Sequence, residues 1–388
     1  MKTIPISILA GGVLCAMAAA QPLPHSYTIT DLGTLGGAGT NSTSTDMNAL
    51  GWVAGSANRT PGGPQHAFLW YGFGPLRDLG TLDAAACPTC NSGVDGPNLL
   101  GWAAVGSETA KLDPNGEDFC AYGTHHQCLA AVWRNGRLNA LPNLPGGNNA
   151  NAFELNDLGQ VVGFAETGVA DATCAPGTPF QAFRFEAVLW DPSGHIHELP
   201  PLPGDTVGFA FGNNDFGQTV GGSGVCSNTS LPPANPAAPH AVLWQSDGTP
   251  VNLGSLGGGY AVASTVNNLG VVVGGASSPV DGTIHTFRWT RQTGMQDYGA
   301  FPGAIATVTP CCRSINDLGQ MVGFSIDGDT FEQRALVWRG RTPVDMNTLL
   351  PPNSPWYLQS ASSIDNFGQV AGTGMIHGEM HAFLATPH

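Results

Sequence analysis

The chain has 388 residues, of which only 11% are charged, whereas Gly and Pro contribute 54 and 30 residues. Globular domains carry roughly 25% charged residues, and long helices need Ala, Leu, Glu, Lys and Arg. This composition disfavours a mostly helical fold, and a hydrophobic content of 42% with nine Trp disfavours disorder. An all-β, turn-rich protein remains.

The net charge of −15 and the scattered Arg residues disfavour nucleic acid as a partner. Binding to a phosphate backbone needs clustered Lys and Arg.

The N-terminus predicts export. Lys2 precedes an apolar run over 4–13 and an Ala-x-Ala site at 18–20, which is the pattern of a secretory signal peptide over residues 1–20. Residues 21–26 form a short leader, and 27–388 form one domain. No later apolar run reaches about 18 residues, so we expect no membrane insertion. The expected location is extracellular or periplasmic.

One short segment recurs seven times after the leader and carries the fold prediction. Its copies occupy 47–51, 97–101, 155–159, 213–217, 266–270, 315–319 and 364–368. The pattern Asn-Asp-x-Gly between two apolar runs predicts a β-hairpin, because Asn and Asp cap the turn and Gly takes positive φ.

Each repeat predicts four short strands in chain order. Strand A precedes the turn, and strand B follows it and is Val-rich, as in residues 160–163. Strand C ends in Trp in six repeats, as in residues 66–70, and strand D follows a few residues later, as in residues 77–82. Four strands in a repeat of about 50 residues, repeated seven times, predict an all-β fold, a seven-bladed β-propeller. The domain begins with a D strand (28–35) and ends with a C strand (382–384). The N-terminal strand should therefore complete the last blade and leave no open sheet edge.

The combination of Asn-Asp-x-Gly-Gln-Val-x-Gly with a downstream His-Ala-Phe-x-Trp resembles the bacterial extracellular HAF repeat. The resemblance covers about residues 27–385 and departs from the pattern in repeat 2. It implies an exported, propeller-like protein and implies no established reaction.

Cleavage of the signal peptide leaves eight cysteines, an even number that predicts disulfides in an exported chain. Proximity in sequence favours two pairs, and corresponding loops of adjacent blades favour a third. The partners of the adjacent pair stay open. In this order the candidates are Cys87–Cys90, Cys120–Cys128, Cys174–Cys226, and Cys311 with Cys312.

A zinc or redox role for Cys87–Cys90 is the alternative. It would need a second Cys or His pair, or a βαβ context. Neither is visible, so we expect no metal and no cofactor.

The two faces of the predicted ring differ. The B–C and D–A loops share one face, here called the loop face; the uniform A–B and C–D turns share the other, the turn face. The B–C loops of repeats 2, 3 and 4 carry adjacent insertions of roughly ten residues, and we expect all eight cysteines on this face. Long loops on a rigid scaffold commonly carry binding sites, whereas the turn face is expected to be structural.

The candidate residues for the binding face are few. Asp118, His125 and His126 lie together in the repeat 2 insertion. Glu154 lies in strand A of repeat 3, and we expect the A strands to line a central channel of the ring. No catalytic motif is present, so no catalytic residue is assigned.

Three functional hypotheses follow. The first is an extracellular binding or scaffold module that recognises a glycan, a peptide or an envelope protein through the loop face. The second is a secreted hydrolase or lyase, acting on a polysaccharide or another envelope substrate, on the same scaffold. The third is a purely structural role in the cell envelope.

Overall fold

The computed structural model describes residues 24–174, 181–229 and 237–388. The predicted signal peptide lies outside the described residues. The described chain is almost entirely β-structure, with two short 3₁₀ helices at Cys226–Asn228 and Met346–Leu349. No helix in these ranges is long and apolar enough to cross a membrane.

The described chain forms 28 strands. The first half contains β1 Tyr27–Asp31, β2 Ser42–Met47, β3 Val53–Asn58, β4 Gln65–Trp70, β5 Arg77–Gly80, β6 Ser92–Pro97, β7 Ala103–Leu112, β8 His126–Arg134, β9 Arg137–Ala140, β10 Ala150–Leu155, β11 Val161–Ala170, β12 Phe183–Trp190 and β13 Ile196–Leu199. The second half contains β14 Val207–Asn213, β15 Thr219–Gly224, β16 His240–Trp244, β17 Pro250–Asn252, β18 Ala261–Val266, β19 Val272–Ser277, β20 Ile284–Thr290, β21 Gly294–Asp297, β22 Ala304–Val308, β23 Val322–Asp327, β24 Gln333–Arg339, β25 Thr342–Asp345, β26 Trp356–Ile364, β27 Val370–Ile376 and β28 Glu379–Pro387.

These strands form seven antiparallel units of four, which we call blades. Blades 1 to 6 take β2–β5, β6–β9, β10–β13, β14–β17, β18–β21 and β22–β25, and blade 7 takes β26–β28 with β1. Within blade 7, β1 pairs with β28 from Tyr27 opposite Pro387 to Asp31 opposite Phe383. In the part of the chain that the structure describes, no single sheet runs through all seven blades; one parallel bridge, Ile284 to Ala306, links blades 5 and 6.

The first and last blades lie side by side. The Ser44 N–H donates to Thr373 Oγ1 at 3.0 Å, and the hydroxyls of Ser44 and Ser362 are 3.0 Å apart. The first strand of each blade is called its inner strand below. Short side chains such as those of Ser44 and Ser362 allow the inner strands of these two blades to approach each other.

The seven predicted hairpin turns all form. In each, the Asn or Asp side chain accepts main-chain N–H groups two and four residues later, as Asn48 does from Leu50 and Trp52. The closing glycines have φ between +72° and +81°, a region that L side chains rarely adopt: Gly51, Gly101, Gly159, Gly217, Gly270, Gly319 and Gly368.

The turns also connect neighbouring blades. In six of them the Asn Nδ2 donates to the main-chain carbonyl of the corresponding residue in the next blade, at 2.7–3.2 Å. The donors in order are Asn48, Asn98, Asn156, Asn214, Asn267 and Asn316, and the last acceptor is the carbonyl of Asp365. We call these contacts the asparagine ring. Its seventh member is Asp365, a residue whose ionised side chain has no hydrogen to donate to Asn48.

The residues that recur once per blade serve packing. The six Trp residues that end the C strands are buried. The histidines that begin C strands form hydrogen-bonded pairs with aspartates at 2.8–3.0 Å, in three cases on the adjacent D strand: His66–Asp78, His240–Asp205, His285–Asp297 and His381–Asp31. They are spread around the ring and do not converge on one site.

Candidate functional site

The inner strand of blade 6 departs from the repeat. In blade 5, Val262 lies opposite Gly275 and Val266 opposite Val272. In blade 6 the equivalent positions are Val308, opposite Phe324, and Ile315, opposite Met321. Six residues separate Val308 from Ile315, whereas three separate Val262 from Val266, so blade 6 has three additional residues at this point.

The additional residues carry Cys311, Cys312 and Arg313 into the central channel. Cys312 and Arg313 adopt φ of +66° and +46°, which is uncommon for residues other than Gly. The sequence predicted both cysteines in a loop on the loop face, and that prediction was wrong. The register of blade 6 puts them beside the channel axis because its inner strand bulges between Val308 and Ile315.

Arg313 reaches across the channel to the inner strands of blades 1, 2 and 3. Its Nη1 donates to Asp46 Oδ2 at 2.8 Å and to the carbonyl of Pro97 at 2.8 Å. Its Nη2 donates to the carbonyl of Leu155 at 3.0 Å and lies 3.4 Å from Glu154 Oε1. One guanidinium therefore holds three blades together at the centre of the ring.

Two carboxylates, Asp46 and Glu154, lie against this guanidinium, and a third, Asp95, lies near Asp46. Burial raises the pKa of Asp46 to about 6, although Arg313 opposes the rise. Burial also raises the pKa of Glu154 well above its usual range, and burial together with Asp46 raises the pKa of Asp95 to about 8. Part of this acidic group is therefore protonated at neutral pH, which limits the repulsion between its members.

The two thiols of blade 6 lie beside these carboxylates. Burial raises the pKa of Cys312 well above its usual range. The hydrogen bond to Cys312 lowers the pKa of Cys311, but burial and the carboxylates outweigh it, and the net pKa is raised. Both cysteines are thus weak nucleophiles in this state, because the thiolate is the reactive form.

Asp95, Cys311 and Cys312 offer one ligand atom each within 4.8 Å of one another. These three residues could hold a soft metal ion if both thiols lost their protons. We call Asp46, Asp95, Glu154, Cys311, Cys312 and Arg313 the channel cluster.

The repeat 2 insertion, residues 113–125, covers the loop-face end of the channel. Tyr122 Oη lies close to Gly93 on the inner strand of blade 2. A Cβ atom added to Gly93 would be only 2.9 Å from this oxygen. A chain of aromatic rings continues inward from the insertion, with centroids 4.9–5.6 Å apart, through Phe119, Phe164, Phe153, Phe211 and Phe209. The channel is therefore filled by apolar side chains on this side.

The insertions of repeats 2 and 3 are joined by a buried polar network. Asn149 Nδ2 donates to Asp113 Oδ2 at 2.8 Å and to Glu166 Oε2 at 3.1 Å. Glu117 accepts the Ala182 N–H of the repeat 3 insertion. Burial and a hydrogen bond to Glu117 raise the pKa of Glu166 to about 9, so Glu166 carries a proton at neutral pH.

Disulfides brace the same face. The structure contains Cys87–Cys90, Cys120–Cys128 and Cys174–Cys226, the three pairs favoured by the sequence. The last of these joins the insertions of repeats 3 and 4. Cys311 and Cys312 are free thiols, contrary to their place among the disulfide candidates. They lie in the channel, and the six other cysteines of the described residues already form pairs.

The structure does not bring the four predicted binding-face residues together. Glu154 is buried in the channel cluster. Asp118 is also buried and accepts the Gly123 N–H at 2.7 Å within the repeat 2 insertion. His125 is exposed and contacts the carbonyl of Gly116, whereas His126 contacts the carbonyl of Thr109. His126 lies near Cys87 and Cys90, whose sulfurs are joined to each other.

Of the charged residues in the channel cluster, the sequence identified only Glu154 as a candidate; Asp46, Asp95 and Arg313 were not predicted. A signal existed, because Asp46 and Glu154 both lie two residues before the turn Asn in strands otherwise rich in Ser, Thr and Ala. Glu154 can approach the inner strand of blade 2 because residue 96 is Gly. A Cβ atom at this position would lie 2.6 Å from Glu154 Oε1.

Neither a family model nor a curated protein matches this chain. Among solved structures, the chain is similar to puromycin hydrolase at 10% sequence identity and a TM-score of 0.53, covering 95% of this chain and 55% of the hydrolase. A mutant of that hydrolase in complex with PGG gives the same TM-score and identity, covering 92% of this chain and 53% of the mutant chain. A gluconolactonase from Xanthomonas campestris matches at 12% identity and a TM-score of 0.39, covering 95% of this chain and 99% of the lactonase.

The fold is a β-propeller. The chain spans about half the length of the puromycin hydrolase that it matches. Likeness at this level of identity concerns the fold alone and carries no assignment of activity.

Proposed function

We propose that the protein is an exported binding or scaffold module that recognises an extracellular glycan, peptide or envelope protein through its loop face. The observation that carries this proposal is the joining of the insertions into one body. Cys174–Cys226 ties repeat 3 to repeat 4, and the Asn149 network ties repeat 2 to repeat 3. Links of this kind between surface segments reduce the entropy that is lost when a ligand binds.

Export is part of this proposal. Three disulfides fit an oxidising compartment. The signal-peptide pattern of residues 1–20 and the resemblance to the HAF repeat support the same location. We place the chain among HAF-repeat proteins on that basis.

We also propose that the pairing of β1 with β28 closes the ring. The first and last described strands then lie in one blade, and opening the ring requires breaking a five-residue ladder. Rigid closure suits a scaffold that presents loops in a fixed arrangement.

The test of the binding proposal compares the two faces of the molecule. The domain from residue 24 onward is applied to a glycan array and to a peptide array. One variant carries L112S, H125A and V169S on the loop face, where all three side chains are exposed. The matched control carries F73S in the C–D turn of blade 1, on the turn face, where Phe73 is 81% exposed. We expect the loop-face variant to lose the array signals and the turn-face variant to keep them; unchanged signals from the loop-face variant would contradict the proposal.

A hydrolase or lyase on the same scaffold is the second candidate. The observation that favours it is the grouping of Asp95 with Asp46 and Glu154, the two partners of Arg313, since Asp95 with a pKa of about 8 is a suitable general acid. The raised thiol pKa values and the apolar filling of the channel on the loop side argue against it.

Purified protein and its D95N variant should be compared on polysaccharide, lactone and peptide substrates. Turnover by the wild type that disappears in D95N would support the enzyme and displace the binding module.

A further inference from the structure

Seven exposed apolar side chains lie on the turn face, in the Asn-Asp-x-Gly turns, and the first two residues of most of these turns line a central cavity. Each is the third residue of an Asn-Asp-x-Gly turn, and their exposed fractions run from 40% to 76%. They are Leu50, Leu100, Leu158, Phe216, Leu269, Leu318 and Phe367, and we call them the apolar ring. Exposed apolar groups arranged together on a protein surface indicate an interaction site.

The turn itself does not require these residues. Its geometry uses the first Asn as acceptor and the last Gly for positive φ, whereas the third residue contributes only its main-chain N–H. A polar side chain would fit equally well there and would interact favourably with water. All seven turns nevertheless carry Leu or Phe, so hairpin formation does not explain the apolar ring.

A cavity of about 120 Å³ lies inside the ring, and its walls are rich in hydrogen-bond acceptors. In Asp157 and Asp317, one carboxylate oxygen accepts a main-chain N–H of the neighbouring blade, and no donor of the described residues contacts the other. Asp365 and Asn213 are each more than nine-tenths buried. Within the described ranges, Asp365 Oδ2 and Asn213 Oδ1 are buried acceptors without a donor.

Arg313 forms the floor of this cavity, but its charge is already balanced. It donates to Asp46 and to two main-chain carbonyls and lies next to Glu154. An anion entering the cavity would meet the rim carboxylates and find few free donors. The open acceptors therefore favour a ligand that brings N–H donors and positive charge.

A bare metal ion does not suit the geometry. Ca²⁺ needs several oxygens that converge on one point. Within the described part of the chain, no three acidic side chains of the cavity bring ligand oxygens within 4.8 Å of one another. Acceptors spread around a cavity instead match an ammonium or guanidinium group on an apolar stem, with donors pointing in several directions.

We propose that the turn face is a docking surface for a protein partner that inserts one Lys or Arg side chain into the central cavity. Apolar residues flanking that side chain pack on the apolar ring. The partner is a separate protein, and this surface is distinct from the loop face, so the inference does not depend on the proposed function.

Asp365 is the residue that most directly supports a cationic ligand. Six turns place Asn at this position and donate to the next blade, whereas Asp365 donates nothing to Asn48 and leaves a buried oxygen without a donor among the described residues. The substitution of Asn by Asp weakens the ring at one contact, yet it places a negative charge on a residue that lines the cavity. A cationic side chain in the cavity would be attracted to that charge.

The probe is a blocked pentapeptide, Leu-Phe-Lys-Leu-Phe, measured by isothermal titration calorimetry on the domain from residue 24 onward. Its matched analogues replace Lys with Arg, norleucine or Glu. We expect the Lys or Arg peptide to bind about tenfold or more tightly than the norleucine peptide, and the Glu peptide to bind more weakly still. Equal affinity of all four, or no binding of the Lys and Arg peptides at about 1 mM, overturns the proposal.

The deciding variant is D365N, which keeps the turn because Asn serves the same role in six blades. We expect it to fold at least as stably as the wild type and to lose about tenfold or more in affinity for the Lys peptide. Its affinity for the norleucine peptide should not change. The double variant F216S/L269S should weaken both peptides, and L112S on the loop face should weaken neither.

Three outcomes would overturn the assignment. Retention of Lys-peptide affinity by D365N would show that the cavity acceptors do not bind the cation. Binding of Ca²⁺ alone that D365N abolishes would indicate a metal site. Self-association of the free protein that D365N disrupts would make a second copy of this chain the occupant.

Discussion

Replacing Asp365 with Asn should stabilise the folded protein, with the gain growing as the pH rises. In the other six turns, the Asn Nδ2 donates to the next carbonyl at 2.7–3.2 Å. The amide introduced by D365N would add the missing donor to the Asn48 carbonyl and would retain the acceptor of the Phe367 and Gln369 N–H groups.

The magnitude follows from two contributions. A new intramolecular hydrogen bond contributes about 1 kcal/mol. Removing a buried acceptor that has no donor relieves about 1–3 kcal/mol, because Asp365 is only 5% exposed. The expected gain in the free energy of unfolding is therefore about 2–4 kcal/mol at pH 8.

The sign of the pH dependence follows from proton binding. Burial raises the pKa of Asp365 in the folded state, against the hydrogen bonds from Gln369, Phe367 and Gly368 that lower it. The folded protein then binds more protons than the unfolded chain between the unfolded value of about 3.9 and the raised folded value. Wild-type stability consequently falls as the pH rises through that interval, and D365N escapes the loss. A protonated Asp365 could also donate to Asn48, so the difference should be smallest near pH 4.

Guanidinium denaturation followed by Trp fluorescence at pH 4, 6 and 8 measures this effect. The matched control is N267D, which creates the same substitution in blade 5 and should destabilise by a similar amount at pH 8. If D365N is no more stable than wild type, or if the difference does not grow with pH, the reasoning from the asparagine ring fails.

Three further experiments test other parts of the structure. R313Q leaves Asp46 and Glu154 buried without a counter-charge; we expect a loss of about 3–5 kcal/mol at pH 8, a smaller loss at pH 5, and little effect of the exposed control R339Q by denaturation. A chain that starts at residue 33 lacks β1 and the buried Tyr27, so its thermal midpoint should lie well below that of a chain that starts at residue 24; equal midpoints would argue against ring closure by β1. Thiol titration of the domain should find slow reaction in the native state and two reactive thiols in guanidinium, and non-reduced peptide mapping should find three disulfides; four disulfides would contradict the free Cys311 and Cys312.

The repeat made much of the fold predictable. A turn such as 155–159 combines a side-chain cap with a Gly at positive φ, and both requirements are local. Seven such turns at steps of about 50 residues left few alternatives for the arrangement of strands. Disulfides between nearby loops were equally accessible, because Cys174 and Cys226 occupy corresponding positions in adjacent repeats.

The channel cluster was harder to predict because it depends on non-repeating residues from four blades. Asp46, Asp95 and Glu154 belong to different A strands and meet only after the ring forms. Arg313 joins them through three additional residues that the spacing of the repeats does not reveal, since loop lengths vary between blades. No local rule connects residues so far apart along the chain, and their proximity is a property of the arrangement of the blades.

The departures from the repeat are informative because a ring of identical blades needs none of them. Seven Asn residues would complete the asparagine ring, yet blade 7 has Asp365. An uninterrupted inner strand in blade 6 would keep an arginine out of the channel, yet blade 6 adds Cys311, Cys312 and Arg313 and then needs Asp46 and Glu154 to balance the charge. Each departure buries a charged or unsatisfied group, which costs free energy of folding. Costs of this kind concentrate at functional sites in proteins. Both departures line the channel under the apolar ring, so the turn face, whose turns look purely structural in the sequence, becomes a site to test alongside the loop face.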